Sequence, residues 1–157
     1  RNGTCNLFIA FEPLRSWRHL EITSQRRAID WAHFMQQLAD VYYPDAERIR
    51  VVMDNLNTHH VGSFYEAFAP AEAKRLALRF EFHYTPKHGS WLNLAEIELS
   101  VLSRQCLDPR VPDLTTLERE VAVWQDRRNA KGGAINWRFT TADARIKLKR
   151  LYPSIDE

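Results

Sequence analysis

Ile49-Arg50-Val51-Val52-Met53-Asp54-Asn55-Leu56-Asn57-Thr58-His59 is the stretch on which the rest of the chain turns. Ile49 to Met53 is short, apolar and rich in β-branched residues, as a buried strand is. Asp54-Asn55 ends it with residues typical of strand exits and turns. An acid at the carboxyl end of a buried strand sits where α/β folds place ligands and catalytic groups. A plain Asx turn closing a strand would read the same way.

Working outward, Cys5 to Phe11 reads as a buried strand ended by Glu12-Pro13, and Trp17 to Ile22 alternates like a half-buried one. Pro13 to Ser16 fits a hairpin loop between them. Thr23 or Ser24 can cap a helix starting near Arg26. Its apolar face holds Ala28, Trp31, Ala32, Met35, Leu38, Ala39 and Tyr42. A helix is expected from about Ser63 to Leu76, then a strand over Phe80 to Tyr84. A Pro/Gly loop over Thr85 to Ser90 leads into a helix from Trp91 to about Leu107. Two further helices are expected near Leu114 to Ala130 and Thr141 to Leu151. Strands alternating with helices predict a mixed α/β sheet covered by helices.

Composition sets outer bounds. At 157 residues and 45% hydrophobic the chain can bury one core, and its net charge of +2 permits a nucleic-acid partner without demanding one. The two cysteines, Cys5 and Cys106, have no CxxC spacing, so reduced thiols in a cytoplasmic protein are expected, with no disulfide framework and no zinc site. The longest fully apolar run, Leu7 to Phe11, is far short of the roughly 18 residues of a membrane span.

The second chemical segment is Tyr84-Thr85-Pro86-Lys87-His88-Gly89-Ser90-Trp91-Leu92-Asn93-Leu94-Ala95-Glu96. A strand runs into a loop carrying a cation and a His, then into a helix with an acid in its first turns. A helix N-terminus beside Lys87 favours phosphate. Two carboxylates at the same end of neighbouring strands could share Mg²⁺, which takes one or two protein carboxylates plus water and phosphate. Glu98 competes with Glu96. The apolar stripe of that helix holds Leu92, Ala95, Leu99, Leu102 and Cys106, and the two acids flank it on opposite sides. Periodicity does not choose between them.

The Asp-Asn-x-x-x-His stretch (Asp54, Asn55, His59), followed by Tyr-Thr-Pro-Lys-His-Gly-Ser-Trp-Leu-Asn-x-Ala-Glu, resembles the DDE superfamily endonuclease domain of bacterial insertion-sequence transposases of the mariner-like group. The likeness continues through Glu98-Leu99-Ser100, Arg104 to Leu107 and Trp137 to Thr141. It implies an RNase H-like sheet flanked by helices, in which three acids converge on two divalent ions, Mg²⁺ or Mn²⁺. Asp54 matches the second acid and Glu96 the third, which selects Glu96 over Glu98. Lys87 and His88 are then expected to touch the DNA backbone. Asn55, His59 and Asn93 would support the site. The implied activity is metal-dependent DNA cleavage and strand transfer on double-stranded DNA, at terminal repeats and target, by a homodimer in the cytoplasm, at the nucleoid when bound.

The same resemblance puts the first acid on a strand before Cys5, and helix-turn-helix segments before that. Neither has a counterpart here, and Glu12 and Asp30 sit in no matching motif. Residues 1–157 therefore read as one catalytic domain, N-terminally truncated, without its DNA-binding domain. Such a chain is expected to be part of an active transposase or an inactive DNA-binding or assembly fragment; the Trp-Leu-Asn-x-Ala-Glu element argues against a third outcome, another RNase H-like nuclease acting on RNA–DNA hybrids or junctions. Basic residues near the end (Arg145, Lys147, Lys149, Arg150) fit a solvated helix face better than a phosphate site.

Overall fold

The computed structural model describes residues 4–54, 56, 58–85, 93–108, 111–132, 140–147 and 149. The strands are β1 (Asn6–Glu12), β2 (Trp17–Thr23), β3 (Ile49–Met53) and β4 (Phe80–Tyr84). The helices are α1 (Ala28–Gln37), α2 (Gly62–Ala67), α3 (Pro70–Arg79), α4 (Leu94–Gln105), α5 (Leu114–Lys131) and α6 (Thr141–Lys147). A π-helical turn, Leu38–Tyr42, continues α1.

The mixed α/β class is as expected, but the strands form two sheets rather than one. β1 and β2 make an antiparallel hairpin, and β3 and β4 a parallel pair. Among the described residues no ladder joins β1 to β3. The single helix expected over Ser63 to Leu76 is two. Pro70 has no amide hydrogen and restricts the residue before it, so it opens α3 rather than continuing α2. Thr23 and Ser24 do not cap α1. Thr23 donates to the Gln25 carbonyl at 2.7 Å, and the Asp30 carboxylate accepts from the Arg27 amide at 3.1 Å. Arg79 closes the π-helical turn by donating to the carbonyls of Ala39 and Tyr43.

The hairpin is covered on both faces. Phe8 and Ala10 face α1, in a core with Trp31, Phe34, Met35, Phe64, Leu76 and Phe80. Leu7, Ile9, Leu20 and Ile22 face α4 and α5, against Leu102, Val121 and Trp124. The outer edge of β2 is capped by side chains of α5. Asn129 accepts from the Arg18 amide at 2.9 Å and donates to its carbonyl at 2.9 Å, and Gln125 accepts from the Leu20 amide at 2.7 Å. That protects one edge from adventitious pairing. The other edge, on β1, has no such cover among the described residues.

His19 is buried between the rings of Phe34, Trp17 and Tyr42. Its Nε2 lies 2.7 Å from Gln37 Oε1 and its Nδ1 3.0 Å from the Tyr42 hydroxyl. The neutral Nε2–H tautomer fits both: it donates to Gln37 and accepts from Tyr42. Burial holds its pKa below the ordinary 6.5, with the Gln37 bond opposing. A depressed native pKa means the unfolded chain takes the proton first. Stability is therefore full above about pH 6.5 and falls as pH drops towards the native pKa, by up to about 1.4 kcal/mol per pH unit for this proton. Urea unfolding at pH 7.5 and 5.5 is expected to show a lower midpoint at 5.5, and a smaller drop for His19→Gln. His59 shifts the same way and keeps part of the drop, while Glu21, raised by burial, opposes it. Equal drops in both proteins would show that His19 carries none of the effect.

Candidate metal and nucleic-acid site

A cavity of about 740 Å³ lies between the two sheets. It is lined by every residue from Asn6 to Pro13 and from Arg48 to Asp54. Successive strand residues point to opposite faces, so a cavity against a sheet face would touch alternate residues only. Unbroken lining means that the facing edges of β1 and β3 border it. The first turns of α4, from Asn93 to Glu96, and Leu99 complete the wall.

Asp54 follows the last residue of β3 and its side chain is 42% exposed. Parallel pairing sets Met53 opposite Tyr84, and Thr85 donates to the Met53 carbonyl at 2.9 Å. The exits of β3 and β4 thus lie side by side, as the two sequence segments require. His59 Nδ1 sits 3.3 Å from Asp54 Oδ1. The imidazole stacks on Trp31 at 5.7 Å and tilts against Phe8 at 6.1 Å, and it is held by a turn in which its amide donates to the Leu56 carbonyl at 2.9 Å. Burial pushes the His59 pKa below its ordinary value, while the Asp54 carboxylate pulls it up. A neutral His59 donates Nδ1–H to Asp54, which fixes one carboxylate oxygen and leaves the other free.

Glu96 lies in the first turn of α4, exposed and lining the cavity. Asn93 is the N-cap of α4: its side-chain oxygen accepts from the Ala95 amide at 3.1 Å. Glu98 is different. It is 4% exposed and bound to two guanidinium groups, Arg18 at 3.0 Å and Arg128 at 2.9 Å. The buried residues of α4 are Glu98 and Leu102, and the exposed Gln105 on the same flank accepts from the Trp124 indole at 3.0 Å. The helix thus presents the Glu98 flank of its stripe to α5 and leaves the Glu96 flank, with Ser100 and Ser103, open. Asn55, Lys87 and His88 lie outside the described residues.

Arg18, Arg128 and Asn129 carried no expectation from sequence. A signal existed for Arg18: strand alternation puts it on the same face as Leu20 and Ile22, so its guanidinium had to be buried or paired. Arg26 and Arg48 also line the cavity and were not singled out.

Asp54 and Glu96 place hard oxygen donors on one cavity, a donor set that suits Mg²⁺ or Mn²⁺. Among the described residues no group of three His, Cys, Asp or Glu side chains is arranged to hold a metal. The family model for the DDE superfamily endonuclease matches residues 1–118, and the chain belongs to that family. Its implied function is that of a transposase-like nuclease with a DNA substrate, in a superfamily that generally uses divalent metals. No curated protein and no solved structure matches the chain. Among the described residues no helix is long and apolar enough to cross a membrane.

Proposed function

We propose that this chain supplies two carboxylates of a transposase centre that cuts and rejoins double-stranded DNA, as in mariner-like insertion-sequence enzymes. The observation that carries the reading is the shared cavity: Asp54 and Glu96 line it, while Glu98 is spent on ion pairs. The two acids would hold a divalent ion through one oxygen or more each, and His59 orients the Asp54 carboxylate. The bound ion supplies Lewis acidity at the phosphodiester and an activated attacking oxygen. A strand laid between β1 and β3, antiparallel to the first and parallel to the second, would satisfy both edges and end beside Asp54. A third acid at its end would complete an RNase H-like triad and provide for a second ion. Lys87 and His88 would contact the DNA backbone, with a homodimer acting on paired terminal repeats in the cytoplasm.

The second reading, an inactive DNA-binding or assembly piece, is favoured by the lack of a three-residue ligand group among the described residues. One experiment separates the two. The whole open reading frame in which this sequence lies is expressed and assayed for nicking of DNA bearing the element's ends. Cleavage lost with EDTA, restored by Mn²⁺, and reduced at least about a hundredfold by Glu96→Gln is expected, since a ligand to the ion supports several kcal/mol of charge stabilisation. DNA binding without cleavage supports the second reading, and full activity of Glu96→Gln removes Glu96 from the site.

A further inference from the structure

The structure assigns Glu98 a positioning role: its buried contacts with Arg18 of β2 and Arg128 of α5 set the rotation of α4 that turns Glu96 into the cavity. This rests on the proposed reading of Asp54 and Glu96 as metal-holding acids.

The remaining contacts of α4 are mostly apolar. Leu99, Val101, Leu102 and Cys106 pack against Leu20, Val121 and Trp124. Such contacts are non-directional and tolerate a helix rolling about its axis. A roll of one residue is about 100°, enough to exchange Glu96 for Ile97 at the cavity wall. The Glu98 carboxylate does not tolerate it. One oxygen accepts from Arg128 at 2.9 Å, and the other lies 3.0 Å from Arg18 Nε.

Arg18 is fixed on all sides, and Arg128 is held more loosely. Arg18 is 1% exposed, donates to Asn129 at 3.3 Å and Ser16 at 3.2 Å, and stacks over Phe11 at 5.3 Å. Arg128 lies over the Trp124 ring at 5.7 Å. A buried charge paired to a fixed partner specifies register, the best-attested use of such networks. Glu96 and Glu98 are about 200° apart on the helix, so anchoring one inward points the other away from the anchor.

The test uses Mn²⁺ affinity and a cross-link. Mn²⁺ is titrated into wild type, Glu98→Gln, Arg128→Met and Leu76→Ala, each well below its own melting temperature. Leu76 is fully buried in α3, away from α4, and controls for general destabilisation. Glu98→Gln and Arg128→Met are expected to weaken Mn²⁺ binding about tenfold, the scale of losses when support for a ligand is removed. Leu76→Ala is expected to stay within about twofold of wild type, as a site whose supports are intact should. Separately, Asp54→Cys and Glu96→Cys are combined in a Cys5→Ser, Cys106→Ala background and bridged with a short thiol cross-linker. The bridge is expected to form more slowly once Glu98→Gln is added.

Unchanged cross-linking and Mn²⁺ affinity in folded Glu98→Gln and Arg128→Met would overturn the assignment, as would an equal loss in Leu76→Ala. If Asp54→Asn leaves wild-type Mn²⁺ binding unaltered, the reading of the site fails instead. The cross-link rate, which involves no metal, then decides the positioning role by itself.

Discussion

Glu98→Leu is expected to lower the melting temperature of this chain by about 10 °C or more. The substitution preserves volume and helix propensity, so the loss is electrostatic. With the carboxylate gone, Arg18 and Arg128 approach one another with no anion between them. Their charges already oppose each other in the native protein, where burial holds the Arg18 pKa below its ordinary value, Glu98 pulls it up, and Arg128 adds a smaller push down. Arg128 is 29% exposed and can swing towards water, but Arg18 at 1% cannot. Leaving a buried charge unpartnered costs about 3–5 kcal/mol, and about 2–4 °C is lost per kcal/mol in a domain of this size. Arg18→Met should cost less, because the Glu98–Arg128 pair it leaves behind is neutral. Replacing all three by apolar residues should cost less again, since a network removed whole leaves no orphan. Differential scanning calorimetry of the three proteins checks the order. A triple variant less stable than Glu98→Leu would show that the charges stabilise the fold in themselves.

Parts of this fold are readable in sequence because periodicity reports burial directly. β3 and β4 were bounded at Ile49–Met53 and Phe80–Tyr84 by β-branched or aromatic runs with punctuating residues at each end. Other parts depend on partners far away in the chain. Nothing local to Ser63 to Leu76 outweighed helical spacing except Pro70, whose missing amide hydrogen decides the break. Strand patterns alone do not separate the strands into two sheets, because they do not say which edges meet.

The tie between Glu96 and Glu98 had the same origin. Both flank one stripe, and only the guanidiniums arriving from β2 and α5 make one side an anchor. Arg18 is 80 residues from Glu98 in sequence, and no window along the helix contains it. The family resemblance chose Glu96 on motif, and the proposed function keeps it because Glu98 is buried between two guanidinium groups.

Asp54→Asn is expected to lower metal-dependent cleavage about a thousandfold or more in the protein carrying the complete site, while moving the melting temperature by no more than about 2 °C. The two halves of that expectation come from different features. Asparagine keeps the shape of aspartate, and its side-chain oxygen still accepts from His59 Nδ1–H. Asp54 is 42% exposed and His59 is its one ion-pair partner among the described residues, so little folding energy depends on its charge. The amide is, however, a poor ligand for a hard dication that relies on carboxylate charge. Losing several kcal/mol of transition-state charge stabilisation at about 1.4 kcal/mol per tenfold gives three orders of magnitude.

His59→Ala should behave in the opposite way. It empties the stack against Trp31 and Phe8, so it costs stability, yet it leaves both acids in place and should retain part of the Mn²⁺ affinity. Activity near wild type in Asp54→Asn would remove Asp54 from the chemistry. A melting temperature that fell as far as that of His59→Ala would instead make its carboxylate a structural element of the β3 exit.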